Sequence, residues 1–468
     1  MAYNFLAYDE QQLYLLPASI VEWVQDDSLA RFVGETVDLL DRRGQLGGFY
    51  EGYRRDGWGH PAYHPRMLVK VLVYGYCMGV TSSRKLAAGC ENEVALRYLT
   101  ANQQPDFRTI SDFRKDHLSA LTKLFVEVLG LCQEAGLVNL GRVALDGRKI
   151  AGNASLDQNR DEEWLQEEVR KLLAEAERVD AEEDAKHGKE QRGDELPQGL
   201  RTREERRKRL EMALERIEEK KRQAAVKQER KIEERRREEV ETGGKKRGRK
   251  PKDPEAAALE AAKRTKANVT DPESRILKTR RGWVQGYNGQ AVADCKSQVI
   301  VAQDLTQEEN DVKQLGPMLK RCEEQAGARP GEVLADAGYW SEENAKLESE
   351  ETELFIATTK DWKQRKAMRE APPPRGRIPK GLSARERMER KLLTKRGHEA
   401  YKQRGSTIEP VFGQMVMRGL VRFLLRGSKK ARAEWSLWCT THNLLKLWRS
   451  GWRARQVVEN EGAMVGAP

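Results

Sequence analysis

The chain has 468 residues, 85 Lys+Arg against 74 Asp+Glu, a formal net charge of +11 and a sequence pI of about 9.2. Only 38% of residues are hydrophobic and no window approaches the roughly 18 consecutive apolar residues of a spanning helix, so a membrane protein is not expected. The six cysteines (Cys77, Cys90, Cys132, Cys295, Cys322 and Cys439) form no CxxC pair and the first residues lack the regions of a signal peptide, which leads us to expect reduced thiols and a cytoplasmic, nucleoid-associated protein.

A basic balance of this size points to a polyanion as partner, and the length suggests roughly three units of about 150 residues. The first, residues 1–138, reads as an all-α domain. Arg66 to Met78 follows His64-Pro65, which restricts the start of a helix, and ends at Gly79. Thr81-Ser82-Ser83 forms an N-cap cluster for a second helix through Arg84, Lys85 and Leu86 to Leu99. Beyond Pro105, Thr109 and Ser111 open a third, carrying Phe113, Leu118, Leu121, Phe125 and Leu129. Basic residues at the start of the second helix suit a helix-turn-helix against DNA, and the same trihelical shape also occurs without DNA.

Composition turns strand-like at Arg142-Val143-Ala144-Leu145, an apolar run that delivers Asp146 at its end. A charged interruption follows. Leu165, Val169, Leu172, Ala176 and Val179 alternate spacings of four and three, and Leu210, Leu214 and Ile217 continue such a seam, with a polar stretch from His187 to Gln198 between them. This predicts a helical hairpin over roughly 160–182 and 201–240; the alternative is a solvated single helix without a partner role. Residues 201–250 hold 21 Lys+Arg and 12 Asp+Glu, nine of the chain's eleven surplus charges. The stretch ends in Gly243-Gly244 and Lys245 to Pro254, where Arg247-Gly248-Arg249 resembles an AT-hook, a flat element for the minor groove. Lys250 separates Arg249 from Pro251, which favours plain phosphate contact instead.

Strands are then predicted at Trp283 to Ala293, Gln298 to Ala302, Glu332 to Ala335 (ending at Asp336) and Leu354 to Ala357, with helices at Asp311 to Glu324 and 341–350. Residues 360–398, with Pro372-Pro373-Pro374 and dense basic residues, read as a mobile loop that orders on DNA. Farther on, Glu409 stands among Ile408, Val411 and Phe412, where an unpaired charge is costly unless it coordinates something. Asp146, Asp336 and Glu409 together would form an all-oxygen ligand set suited to Mg²⁺ or Mn²⁺, whereas the histidines fall outside any zinc spacing.

At these residues the sequence resembles the DDE transposases of bacterial insertion sequences, whose catalytic core is RNase H-like. The resemblance rests on HPRMLVKVLVYGYCMGVTSSRKLAAGC, PDFRTISDFRKDHL, LDGRKIAGNAS around Asp146, GYNGQAVAD around Asn288, LADAGYWSEEN around Asp336 and YKQRGSTIEPVFGQ around Glu409, then RFLLRG. It implies an α/β fold with an RNase H-like mixed sheet and flanking helices over 139–159 and 267–455, interrupted by a charged helical hairpin insertion at 160–266 and preceded by the helical DNA-binding domain. It further implies Asp146, Asp336 and Glu409 as a catalytic triad holding two Mg²⁺ or Mn²⁺ ions, double-stranded DNA at transposon ends and target, and a homodimer on paired ends. Tyr401 and Arg404 are similar to the tyrosine and arginine preceding the glutamate in related transposases; Val416 stands where a lysine is usual, with Arg418 as a possible substitute. Trp340 either stacks on an unpaired base or packs against the sheet. A nuclease that cuts without joining, and a non-catalytic DNA-binding relic, are the alternatives.

Overall fold

A computed structural model describes residues 19–53, 61–187, 198–280, 282–370 and 381–465, together with 372–374, 376 and 379. The N-terminal part is helical, with α1 (Leu29–Arg42), α2 (Pro65–Met78), α3 (Ser83–Asn92), α4 (Val94–Leu99), α5 (Phe107–Asp116) and α6 (Leu118–Glu134). Pro65 occupies the first turn of α2, and Gly79 ends it at φ 78°, where a Cβ would lie 2.1 Å from the Arg418 carbonyl oxygen.

Two predicted helices are each divided. Glu93 takes an extended conformation between α3 and α4, letting Leu96 fold against Gly89. The third helix begins earlier than expected, because Asp106 caps it by accepting from Arg108 N (2.6 Å) and Thr109 N (2.9 Å), and it breaks at His117, whose ring contacts Phe113 at 4.3 Å between centroids.

The next elements are β1 (Arg142–Ala151), β2 (Asn159–Arg160), α7 (Glu162–His187), α8 (Gln198–Thr242), α9 (Pro254–Arg264), β3 (Ala267–Asn268), β4 (Arg275–Thr279), β5 (Gly282–Asp294) and β6 (Ile300–Thr306). After them come α10 (Leu315–Ala326), β7 (Glu332–Ala335), α11 (Glu342–Ala345), β8 (Glu353–Ile356), α12 (Asp361–Glu370), α13 (Ala384–Leu393), α14 (Lys395–Met417), α15 (Ser428–Arg449) and α16 (Ala454–Val465). Among the described residues one six-stranded mixed sheet runs β4-β5-β1-β7-β8, with β6 also on β5. β5 is antiparallel to β1, β4 and β6, whereas β7 and β8 run parallel to β1.

β1 does not stop at Asp146 as the apolar run suggested; it continues to Ala151 because β5 keeps pairing with it. The strand predicted from Gln298 starts later, at Ile300, since Asp294 accepts from Lys296 N (2.8 Å) and Ser297 N (3.1 Å) and holds a tight turn with Gln298 at φ 63°. Residues 360–398 are not a loop throughout. Ser383 and Glu386 form a capping box, Thr394 caps α14 through Gly397 N at 3.0 Å, and Met368, Met388 and Leu392 are buried.

α7 and α8 pack antiparallel: Lys221 pairs with Glu162 at 2.6 Å and Arg206 with Glu168 at 2.5 Å. Leu165, Leu210, Ala213 and Ile217 are buried between them, with Val169 and Leu172 partly covered. The side chains of Ala176 and Val179, and much of the stretch from His187 to Gln198, lie outside the described residues. The larger core is continuous from the N-terminal helices into the sheet, because α15 is sandwiched between α6, α2 and β6 and buries Trp435 and Trp438 completely.

Candidate active site

Asp146 lies on β1 where that strand loses a neighbour. Parallel pairing with β7 covers only Arg142↔Glu332, Val143↔Val333 and Ala144↔Leu334, while pairing with β5 runs on to Ala151. The same offset brings Asp146 level with Asp336, the first residue after β7. Divergence of two parallel strands at their C-terminal ends leaves a crevice, the position at which open α/β sheets bind ligands. Asp336 caps the following turn, accepting from Gly338 N at 2.8 Å.

α14 lies across β1, β5 and β7. Tyr401, Arg404, Ile408, Val411 and Phe412 face inward, whereas the Glu409 side chain is 56% exposed. This corrects the expectation of a carboxylate embedded among apolar neighbours: helical spacing turns Ile408, Val411 and Phe412 to the core and Glu409 to the crevice side. Pro410 removes one helical donor, and Gln298 Nε2 donates instead to the Ser406 carbonyl at 3.1 Å, so the helix continues unbroken.

Arg404 joins the carboxylates. Its side chain is only 5% exposed; Nη1 donates to Asp146 Oδ2 at 3.2 Å, and Nη2 lies 3.7 Å from Glu409 Oε1. Its guanidinium carbon sits 5.9 Å from the centre of the Tyr401 ring, which is itself buried. Burial, then the charge of Asp336, push the Asp146 carboxyl up to about 7, against the pull of Arg404 and of the Gly147 N–H.

The sequence reading missed Asp311, which the structure brings to the same crevice. Asp311 Oδ1 accepts from Asn288 Nδ2 (2.6 Å) and Gln290 Nε2 (2.7 Å), both fully buried on β5. The sequence pattern presents Asp311 only as the first residue of a helix; the register of β5 against β1, which faces Asn288 and Gln290 toward it, brings it to Asp146. A cleft of about 650 Å³ adjoins the site, lined by Arg369, His398, Lys402, Arg404, Ser406 and Glu409.

Among the described residues no group of three or more His, Cys, Asp or Glu is gathered as a metal site. The donor chemistry nevertheless fits a hard cation: Asp146 is a partly buried carboxylate beside Asp336 and Asp311, with Arg404 supplying a positive charge at 3.2 Å.

Other candidate residues are engaged elsewhere. Arg418 stands over the Trp438 ring at 5.7 Å and donates to Thr441 Oγ1 at 3.5 Å, so it packs against α15. Trp340 is partly buried against the core. On α3, Arg84 and Lys85 are exposed, and Arg84 stacks over Phe107 at 4.4 Å. Arg247 and Arg249 are exposed on a tail fastened to α8, where Arg235 Nη1 donates to the Arg249 carbonyl at 3.2 Å and Lys246 N donates to Glu239 Oε1 at 3.0 Å. All six cysteines are free thiols, and no helix among the described residues is long and apolar enough to cross a membrane.

Two family models match the chain, one described as a transposase domain (DUF772) over residues 18–116 and one as a transposase DDE domain over residues 377–448. Together they support the resemblance to DDE-type transposases of insertion sequences, and with it a transposase function. The second match includes Tyr401, Arg404 and Glu409; Asp146 and Asp336 lie outside both. No curated protein and no solved structure matches.

Proposed function

We propose that the chain is a DDE transposase that binds the ends of its insertion sequence, cuts DNA in a reaction dependent on Mg²⁺ or Mn²⁺, and joins the freed strand to target DNA, with Asp146, Asp336 and Glu409 as the ligand set. The observation that carries this reading is the register of β1 and β7, which sets Asp146 level with Asp336 at a strand divergence, beneath a helix whose Arg404 contacts both Asp146 and Glu409. A sheet with an antiparallel half on one side of β1 and a parallel half on the other supports an RNase H-like core. The antiparallel packing of α7 on α8, between β1 and β4 in the chain, supports a helical hairpin inserted into that core over 160–266.

When bound, two divalent ions supply Lewis acidity to the scissile phosphate. Asp146, Asp336 and Glu409 would hold them, and Arg404 keeps Asp146 and Glu409 oriented from a buried position. Arg369 and Lys402, on the wall of the adjoining cleft, suit the phosphates of the approaching strand. Water would attack the phosphorus, forming one P–O bond as the bond to the 3′ oxygen breaks and leaving a 5′-phosphate and a 3′-hydroxyl; that hydroxyl would then attack a target phosphodiester, forming a new P–O bond as the target's own breaks and releases a target 3′-hydroxyl, without a covalent enzyme intermediate. Exposed Arg84, Lys85, Arg247 and Arg249 supply further DNA contacts, and the paired ends call for a homodimer in the cytoplasm.

The test is Asp146→Asn. It is expected to abolish Mg²⁺-dependent cleavage and joining of DNA carrying the element's ends while leaving DNA affinity nearly intact. Cleavage without joining by the wild-type chain would select a nuclease, and DNA binding without either reaction would select a non-catalytic relic.

A further inference from the structure

Asn288 and Gln290 stand opposite Lys149 and Gly147 in the β1/β5 pairing, and both donate their amides to one oxygen of Asp311, at 2.6 and 2.7 Å. Gly147, next to Asp146, leaves the room this requires: a Cβ there would come within 2.4 Å of Gln290 Nε2 and 2.5 Å of Asp311 Oδ1. On the other side, Tyr339, three residues after Asp336 and fully buried, donates its hydroxyl to Gln290 Oε1. Asn344 closes the loop, its Nδ2 donating to the Val312 carbonyl and the Tyr339 carbonyl, each at 2.6 Å. Asp311 thus holds one end of a polar network whose other ends are the β1 backbone beside Asp146 and the turn capped by Asp336.

The charge on Asp311 is the unexpected part. Two neutral amides need only a neutral acceptor, and a carboxylate beside two others costs stability that an asparagine would not. A Cβ on Gly338 would lie 2.9 Å from Asp336 Oδ1 and 3.6 Å from Asp311 Oδ2, so the two carboxylates flank the same point. We infer that Asp311 is a positioning residue of the proposed cation site: through Asn288, Gln290 and Tyr339 it fixes the relative placement of Asp146 and Asp336, and its negative charge adds to the field that draws a divalent cation between them. This rests on the functional reading above.

The experiment measures Mn²⁺ binding to the full chain by the electron paramagnetic resonance of free Mn²⁺, beside Mn²⁺-dependent DNA cleavage and the melting temperature, for the wild type, Asp311→Asn and Tyr339→Phe. Groups that orient metal ligands typically change metal affinity or activity about 10–100-fold when replaced, and that loss is expected for D311N with the melting temperature unchanged or raised. Y339F, which removes only the hydroxyl on Gln290, is expected to weaken Mn²⁺ binding about three- to tenfold and keeps the test open should D311N fail to fold. Wild-type Mn²⁺ affinity in either folded variant overturns the inference alone. A wild-type chain that neither binds Mn²⁺ nor cuts DNA overturns the functional reading, and this inference with it.

Discussion

Replacing Arg404 with alanine removes the cation that lies 3.2 Å from Asp146 and 3.7 Å from Glu409. The guanidinium is 5% exposed and the Asp146 side chain 21% exposed, so the pair is shielded from water on one side and open to it on the other. Breaking a buried pair by deleting one partner costs about 3–5 kcal/mol because the remaining charge is left uncompensated. The partial exposure of Asp146 calls for a discount, and we expect R404A to lose about 2–3 kcal/mol. If Asp146, Asp336 and Glu409 form a cation site, Mn²⁺ restores part of that loss: a ligand at a hundred times its dissociation constant stabilises the folded state by about 2.7 kcal/mol. Thermal unfolding of wild type and R404A, each with chelator and with millimolar Mn²⁺ or Mg²⁺, reads both quantities. R404A should melt lower in chelator and gain more from the metal than the wild type does, while Arg404→Lys should fall between. An R404A variant that melts like the wild type, or that is lowered and indifferent to metal, refutes the reasoning.

Glu434 on α15 is fully buried and accepts from Leu424 N at 2.9 Å and Leu425 N at 3.0 Å; burial pushes its carboxyl up from 4.5 to about 7. Because the folded state holds the proton more tightly, this group lowers stability progressively as pH rises from about 4.5 to about 7, by about 3 kcal/mol in all, so urea unfolding of Glu434→Gln should show a flatter pH dependence than the wild type; parallel curves would count against it. His442 is the opposite case, since burial pushes it down to about 3 while its Nε2 faces the Gln298 carbonyl at 2.9 Å: stability it contributes is lost as pH falls below about 6.5, and His442→Gln should lessen the acid sensitivity seen in the same titration. For the basic tail, changing Arg247 and Arg249 to alanine should lower DNA affinity and make its salt dependence shallower by about 0.9 in slope per lost phosphate contact, with no change in A·T preference; loss of that preference would instead reveal a minor-groove hook.

Much of this site was legible where the chemistry is local. Asp146, Asp336 and Glu409 each stand in a short stretch whose polarity departs from its neighbours, and the strands at Trp283 to Ala293 and Glu332 to Ala335 carry unbroken apolar or alternating patterns that tertiary contacts did not override. What was not legible depends on partners distant in sequence. β1 runs past Asp146 because β5, about 140 residues later, supplies hydrogen bonds there. α15 is buried on nearly every side, so it lacks the amphipathic stripe that would announce a helix; its buried Thr440 and Thr441 donate back to carbonyls of the same helix, and His442 and Asn443 find backbone partners at Gln298 and Ile300, far away in sequence. The exposure of Glu409 was misjudged because neighbours in sequence are not neighbours on a helix.

The charged helices bear on this picture through where they lie. Arg216, Lys220 and Lys227 of α8 face Gln307, Asn310 and Lys313 across a cleft of about 390 Å³, and Asp311 belongs to that same loop. Arg216 is largely enclosed there, and its burial lowers its pKa to about 10 against the attraction of Glu219, Glu309 and Glu308. The middle of α8 therefore forms a wall beside the loop whose Asp311 accepts from Asn288 and Gln290. Deleting 201–252 would strip the cover from Leu165 as well as removing basic charge, because Leu210, Ala213 and Ile217 go with it. A deletion thus confounds the loss of basic charge with a loosened Asp311 loop, whereas substitutions confined to the exposed Arg247 and Arg249 remove charge and leave Leu210, Ala213 and Ile217 over Leu165.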